Sequence, residues 1–195
     1  MQFLFSLSCV RLVLTGKELN FMEFTFDTVY DQKAVTAMAR GLRMTIRKKR
    51  SRRSHIFGWF VIGLVLLLTL PLDGSPLVIE GRTVVTWAAG LLIFVTLLFE
   101  DRINAWLARR RMLAGTDRAV STFTEDGYCT ETAVGKTEWR YENIQHVAED
   151  KDYFIFVFDK RYAQVYAKDG MTGGTVEEFR AFISKMTGKE LQSMK

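Results

Sequence analysis

Two uncharged apolar runs, at residues 56–72 and 83–99, limit what this chain can fold into more than any other feature. As a helix rising about 1.5 Å per residue, each run would be roughly 25 Å long, just under the ~30 Å hydrocarbon core of a bilayer. Flanking arginines can extend a short span by snorkelling. We therefore predict a transmembrane helical hairpin. Two buried helices of a water-soluble core are the less favoured alternative, because neither run has a polar face.

A turn containing Pro71, Gly74 and Pro76 separates the two runs, and cationic residues concentrate on their outer flanks. Lysine and arginine near the ends of membrane helices favour the cytoplasmic side. We therefore predict two spans in the lipid bilayer with both termini cytoplasmic. The residues assigned as topological anchors are Arg47, Lys48, Lys49, Arg50, Arg52, Arg53, Arg109, Arg110 and Arg111.

The cationic cluster at residues 47–53 also has the composition of a nucleic-acid-binding patch. The net charge of +5 comes entirely from residues 1–114, because residues 115–195 hold 14 Asp and Glu against 11 Lys and Arg. The C-terminal part is therefore a poor polyanion binder. Since an apolar run follows the cluster directly, we assign the cluster to the membrane surface and expect no nucleic-acid partner.

The residues before the hairpin divide into two parts. Residues 1–21 form an N-terminal extension, and translation could start at Met1 or at Met22. Residues 22–55 comprise a strand at 22–27 with alternating polarity, a helix at 31–46 and the basic juxtamembrane segment. The strand could join an edge of the C-terminal sheet.

The residues after the hairpin change character at about residue 115. Residues 100–114 continue the second helix into the cytoplasm, residues 115–188 form a domain, and residues 189–195 form a tail. Within the domain, alternating short runs predict antiparallel strands. Thr175 and Glu178 then begin an amphipathic helix with a capping box. We predict an α+β cytoplasmic domain, in which a bent antiparallel sheet is closed by the C-terminal helix.

Candidate catalytic and metal-binding residues are sparse. His55 and His146 lack partners for a triad, and a structural histidine is the better interpretation of each. The acidic residues Glu149, Asp150 and Asp152 are typical of a solvated loop. We therefore predict no catalytic residues, no metal site, no cofactor and no enzymatic activity.

Aromatic residues are frequent in the predicted strands. Alternation places about half of them in the core, and the others either pack under a loop or line a peptide or lipid groove. The candidate interaction surface consists of Trp139, Tyr141, Tyr162 and Tyr166.

Three short motifs carry a resemblance to a known family. They are Phe123-Thr-Glu-Asp-Gly127, Trp139 followed five residues later by Ile144, and the helix start Thr175-Val-Glu-Glu-Phe-Arg180. In this order, after a basic stretch and two apolar runs, they resemble the YcxB-like family of small bacterial membrane proteins over residues 22–187. Tyr166-Ala-Lys168 departs from the family pattern, where a more apolar residue precedes the basic one.

The resemblance implies a fold similar to pleckstrin-homology-like domains and a place in the bacterial cytoplasmic membrane. It implies no catalytic residues. We expect a non-enzymatic membrane protein whose cytoplasmic domain is an interaction module for a membrane protein, a peptide or the lipid surface, with homo-oligomers left open. The alternative is a membrane-anchored enzyme or sensor with a ligand pocket in the C-terminal domain.

Overall fold

The computed structural model describes residues 23–69 and 80–194. The predicted extension at 1–21, the choice between Met1 and Met22, and most of the predicted turn between the spans lie outside the described residues.

The strand and helix predicted before the hairpin are confirmed. Strand β1 (Phe24–Val29) is followed by helix α1 (Gln32–Met44). The Asp31 carboxylate caps α1 by accepting a hydrogen bond from the backbone N–H of Ala34 at 2.7 Å. The apolar stripe of α1 is buried, so this helix belongs to a core rather than to a membrane-surface segment.

Helices α2 (Lys48–Thr69) and α3 (Gly81–Leu98) carry residues 56–69 and 83–98 of the two apolar runs. By length and composition both could cross a membrane, and their fully buried residues are Ser51, Gly58 and Gly90. They pack closely through glycines, because a Cβ added at Gly58 would lie 2.7 Å from Leu97 Cδ1. Helix α4 (Glu100–Arg110) follows α3 after an interruption at Phe99, so the second helix does not continue unbroken as predicted.

The rest of the described chain is built from strands and one further helix. These elements are β2 (Arg118–Thr124), β3 (Gly127–Thr132), β4 (Gly135–Trp139), β5 (His146–Glu149), β6 (Tyr153–Val157), β7 (Ala163–Ala167), β8 (Met171–Thr172), α5 (Val176–Thr187) and β9 (Leu191–Ser193).

The strands form two sheets. The first has the order β4-β3-β2-β1-β8, with antiparallel neighbours throughout. The second has the order β7-β6-β5-β9, and its β5–β9 pair is parallel. The α+β prediction is confirmed, but the predicted single antiparallel sheet is wrong, because the strands divide into two sheets and one of them is mixed.

Two apolar clusters lie on opposite faces of β6 and β7. The aromatic cluster packs the two sheets and α5 together, and its rings include Phe24, Phe26, Phe123, Phe154, Phe156 and Phe179. The second cluster packs α1 against the other face, where a Cβ added at Gly41 would lie 2.7 Å from Ile155 Cγ2. Strands β6 and β7 are therefore buried on both faces.

Helix α5 begins and ends as its sequence predicts. The Thr175 hydroxyl accepts a hydrogen bond from the Glu178 N–H at 3.2 Å, and the Glu178 carboxylate accepts one from the Thr175 N–H at 2.7 Å. Gly188 adopts the left-handed conformation, with φ at 64°, and ends the helix.

In the structure, elements on both sides of the predicted 115–188 segment pack with it. Strand β1 pairs with β2 on one side and β8 on the other, so it is not an edge strand, and α1 also packs into the domain. The predicted tail contains β9, and Met194 is only 5% exposed. The hairpin is therefore inserted into the domain, because long-range strand pairing brings the segments on both sides of it together.

Candidate functional site

A cavity of about 510 Å³ lies where the two sheets separate. One side is the free edge strand β4, the other is the start of β7, and helices α1 and α4 complete the wall. We call this space the inter-sheet cavity. Its lining includes Tyr30, Val35, Met38, Ala108, Met112, Val134, Lys136, Trp139, Tyr162 and Gln164. Its volume is in the range of small-molecule sites.

Two aromatic rings bridge the gap between the sheets. Trp139, at the end of β4, stacks on Tyr162 with ring centroids 5.5 Å apart, and also contacts Phe158 at 5.0 Å. The buried indole N–H of Trp139 has no hydrogen-bond acceptor within the described part of the chain. Leaving such a donor unpaired costs about 1–3 kcal/mol. Trp139 is therefore held by ring packing and not by a polar contact.

The polar wall of the cavity is centred on Gln164. Its side-chain oxygen accepts hydrogen bonds from the hydroxyls of Tyr128, at 3.1 Å, and Tyr166, at 2.5 Å. Its amide nitrogen donates to the Tyr162 hydroxyl at 3.0 Å. Both ends of the Gln164 amide therefore have protein partners.

The tyrosines around the cavity stay protonated at neutral pH. Burial raises the pKa of Tyr30 far above its ordinary value. The electrostatic interaction with the nearby Tyr162 phenol raises it further. Burial also raises the pKa of Tyr162, against an opposing hydrogen bond with Gln164. These phenols act as hydrogen-bond groups and not as bases.

The helical wall is held in place by ion pairs at the base of the hairpin. The Arg43 guanidinium on α1 donates two hydrogen bonds to the Asp101 carboxylate on α4, both at 2.7 Å. This contact raises the pKa of Arg43. Nearby, His55 contacts Glu100 at 2.8 Å and Arg47 donates to the Lys160 carbonyl at 2.7 Å. These contacts join α1, which supplies part of the cavity wall, to α4 and α2 at the base of the hairpin.

Only half of the predicted interaction surface lines the inter-sheet cavity. Trp139 and Tyr162 lie together there, and Tyr162 is 42% exposed. The prediction is wrong for Tyr141 and Tyr166, which are 7% and 1% exposed. Tyr141 bonds the Thr124 carbonyl at 2.6 Å, and Tyr166 packs among aromatic rings. Alternation along β7 suggested an outer face for Tyr166, but both faces of that strand are covered.

Several residues that line the inter-sheet cavity were not identified from the sequence. Met38 is on the predicted apolar side of α1, Met112 follows α4, and Gln164 lies within an otherwise apolar strand. A polar residue in such a strand is a signal that could have identified Gln164. The methionines carry no comparable signal, because helix periodicity cannot tell a cavity wall from a packed core.

The predicted topological anchors lie on exposed parts of α2 and at the end of α4. Arg47 is half-buried through its contact with Lys160, and the exposed anchors are Lys48, Lys49, Arg50, Arg52, Arg53, Arg109, Arg110 and Arg111. The Arg110 guanidinium lies 3.8 Å from the centre of the Trp106 ring. The role of these residues in topology stays a prediction.

The acidic residues at the end of β5 and in the turn after it form ion pairs and not a simple solvated loop. Glu149 contacts Lys168 at 2.5 Å and Arg180 at 2.6 Å, and Asp152 contacts Lys33 at 2.8 Å. Burial alone would raise the pKa of Glu149, but the hydrogen bonds from Arg180 and Lys168 outweigh it and hold the pKa below its ordinary value. The Glu149–Arg180 pair links α5 to the second sheet.

Together these features define a class of protein: an α+β domain with two sheets, carrying two helices apolar enough to cross a membrane. Residues 123–183 match the family model described as YcxB-like protein, which confirms the resemblance read from the sequence. The match includes β3 to β7 and most of α5, and therefore Trp139, Tyr162 and Gln164. No curated protein and no solved structure matches the chain.

Proposed function

We propose that this chain is a non-enzymatic, two-span protein of the bacterial cytoplasmic membrane whose cytoplasmic domain binds a ligand in the inter-sheet cavity. The observation that carries the proposal is the cavity itself, which has a largely apolar lining and a few defined polar groups. Ligand sites commonly have this composition.

The membrane assignment is supported by exposure and by charge. Helices α2 and α3 leave large apolar side chains exposed along their length, which is favourable in lipid and costly in water. Exposed cationic residues stand at the start of α2 and the end of α4, the two ends that join the domain. The positive-inside rule then places the domain and both termini in the cytoplasm.

A fold of the pleckstrin-homology-like class is part of this proposal. Two packed sheets closed by a helix after the last long strand support it, as does the resemblance to YcxB-like proteins. The parallel strand β9 and the helical hairpin inserted after α1 are additions to that plan.

Binding is favoured over catalysis by the groups that line the cavity. Its titratable side chains are Tyr30, Tyr162 and Lys136. The two phenols have raised pKa values, so they are protonated and cannot serve as general bases near neutral pH. A sensor, in which ligand binding changes the α1–α4 contact and so the hairpin, is a second candidate. The Arg43–Asp101 pair, which joins the two helices that also supply Met38 and Ala108 to the cavity, favours it.

The topology is tested with fusions at Lys195. A reporter that is active only after export should be silent there, whereas a reporter that is active only in the cytoplasm should give full signal. Activity of the exported reporter would overturn the assignment of the termini.

The cavity is tested with a photoreactive residue at matched positions of the full chain in cells. Val134 lines the cavity and is 61% exposed, whereas Val120 lies on the outer face of the same sheet and is 40% exposed. Val134→p-benzoylphenylalanine should give a discrete adduct, and the same substitution at Val120 should not. Equal adducts at both positions, or none at Val134, would show that the cavity is not the binding site.

A further inference from the structure

We infer that the ligand of the inter-sheet cavity is a single-chain anionic amphiphile: an acyl chain lying between the sheets, with its head group at the arginines that end α4. This inference rests on the proposed function and specifies its ligand. Three features of the cavity carry it: the hydrogen bonds already made by Gln164 and the hydroxyl groups of the polar wall, the flexible side chains of the apolar wall, and the cationic residues that adjoin the lining in the chain.

The polar wall favours a hydrocarbon chain over a peptide. A buried peptide needs a partner for nearly every N–H and C=O group, and an acyl chain needs none. The Gln164 amide is already engaged at both ends, and the Ser121 and Thr130 hydroxyls bond each other at 3.0 Å. The Thr132 hydroxyl donates to the Gly135 carbonyl at 3.1 Å.

The free edge of β4 does not reverse this preference. A peptide could pair with an edge strand, but β4 is five residues long and carries exposed charges at Lys136 and Glu138. Short strands with charged side chains are features that discourage the addition of another strand. The strand order gives β4 no neighbour other than β3 among the described strands.

The apolar wall suits a flexible chain. Met38 from α1 and Met112 after α4 face the cavity together with Val35 and Ala108. Methionine side chains adapt their shape to irregular ligands. Trp139 and Tyr162 close one side with flat rings, against which methylene groups can pack.

Cationic groups at the α4 wall indicate an anionic head group. Arg109 and Arg111 are exposed and adjoin the lining residues Ala108 and Met112 in the chain, and Lys136 lines the cavity from β4. Arg110 packs on Trp106, so Arg109 and Arg111 are the cations beside these lining residues in the chain whose guanidinium groups are left for a head group in this proposal. Guanidinium groups bind carboxylate and phosphate oxygens well.

A fatty acid and a lysophospholipid share this chemistry, and both are tested by photolabelling the full chain in vesicles of phosphatidylcholine. The probes are palmitate, palmitoyl-lysophosphatidylglycerol and hexadecanol, each with a diazirine near the end of the chain. Labelled residues are located by peptide mass spectrometry. Labels on α2 and α3 report ordinary bilayer contact and serve as the internal standard.

We expect one or both anionic probes to label Met38, Met112 or Val134, and hexadecanol to label these residues roughly tenfold less. Ala108→Leu, which fills the cavity, should lower these labels roughly tenfold, as should the independent Met112→Gln. The control Val120→Leu adds the same kind of bulk to the outer face and should leave them unchanged. The more strongly labelling probe identifies the head group.

Labels confined to α2 and α3, or equal cavity labelling by hexadecanol, would overturn the inference. A peptide or protein adduct at Val134→p-benzoylphenylalanine would also overturn it, while leaving the proposed binding function standing. If Val134 gives no adduct of any kind, the proposed function itself fails.

Discussion

Trp139 stacks on Tyr162 at an interplanar angle of 21°, and this single ring contact joins the free edge of one sheet to the start of the edge strand of the other. Tyr128 also stacks on Trp139, with ring centroids 6.4 Å apart. Trp139 thus links Tyr128 of the aromatic core to the wall of the inter-sheet cavity, which Trp139 and Tyr162 line.

Removing the Trp139 ring should destabilise the domain more than replacing it with a smaller ring. Trp139→Ala is expected to cost about 3–5 kcal/mol through lost packing. Trp139→Phe keeps one aromatic ring, loses the packing of the rest of the indole and deletes a donor that has no acceptor in the described chain, so its cost should be about 1–2 kcal/mol. Urea unfolding of the full chain in detergent, followed by near-UV circular dichroism, measures both. Equal losses for the two variants would contradict the assignment of Trp139 to ring packing.

The Arg43–Asp101 pair should couple α1 to α4. Each single variant, Arg43→Met or Asp101→Asn, leaves a partly buried charged partner without its counter-ion. A double-mutant cycle on the free energy of unfolding should give a coupling energy of about 1–3 kcal/mol. The pair Lys33 and Asp152 is the matched control, because both side chains are largely exposed and their coupling should be below about 1 kcal/mol. A coupling no larger than that of the control would remove the role given to Arg43.

Local sequence patterns predicted the individual helices and strands better than they predicted how these elements pack on one another. The capping box of Thr175 and Glu178 and the alternation of β1 involve neighbours in the chain, and both were identified from sequence. The burial of Tyr166 depends on β1, where its ring contact Phe26 lies more than a hundred residues earlier in the chain. The periodicity of a strand cannot show whether a distant part of the chain covers its second face.

The candidate site could also be predicted only in part from local sequence patterns. Trp139 and Tyr162 belong to the predicted interaction surface because alternation leaves about half of the aromatic residues outside the core, and the structure adds that the two rings stack on each other. Met112 and Gln164 complete the wall from α4 and β7. These residues lie close together because of the way the two sheets separate, and no single sequence motif determines that arrangement.

Stability should fall at acidic pH because of Glu149. Its pKa is lowered in the folded state, so the stabilisation is present above its ordinary value of 4.5 and is lost as the pH falls through the lower folded value. Glu149→Gln should lose stability at pH 7 and show a smaller further loss between about pH 5 and pH 3 than the parent. Glu131→Gln, at an exposed position of β3, is the control and should keep the parent's slope. Urea unfolding at each pH measures the slopes. A parent and a Glu149→Gln variant with identical slopes would contradict this assignment.

Strand β9 should be part of the stable domain and not a dispensable tail. Met194 is 5% exposed in the cluster beneath α1, and its N–H donates to the Glu149 carbonyl at 2.8 Å. Met194→Ala should therefore cost about 2–5 kcal/mol, as buried methionine truncations do. Ser193→Ala, at an exposed position of the same strand, should change stability by less than about 0.5 kcal/mol. Both are measured by thermal and urea unfolding of the full chain. In hydrogen exchange, Met194→Ala should also deprotect the amides of β5, because β9 is the only strand covering that edge in the described sheet. An unchanged unfolding midpoint together with unchanged protection of the β5 amides would show that residues 189–195 are a dispensable tail.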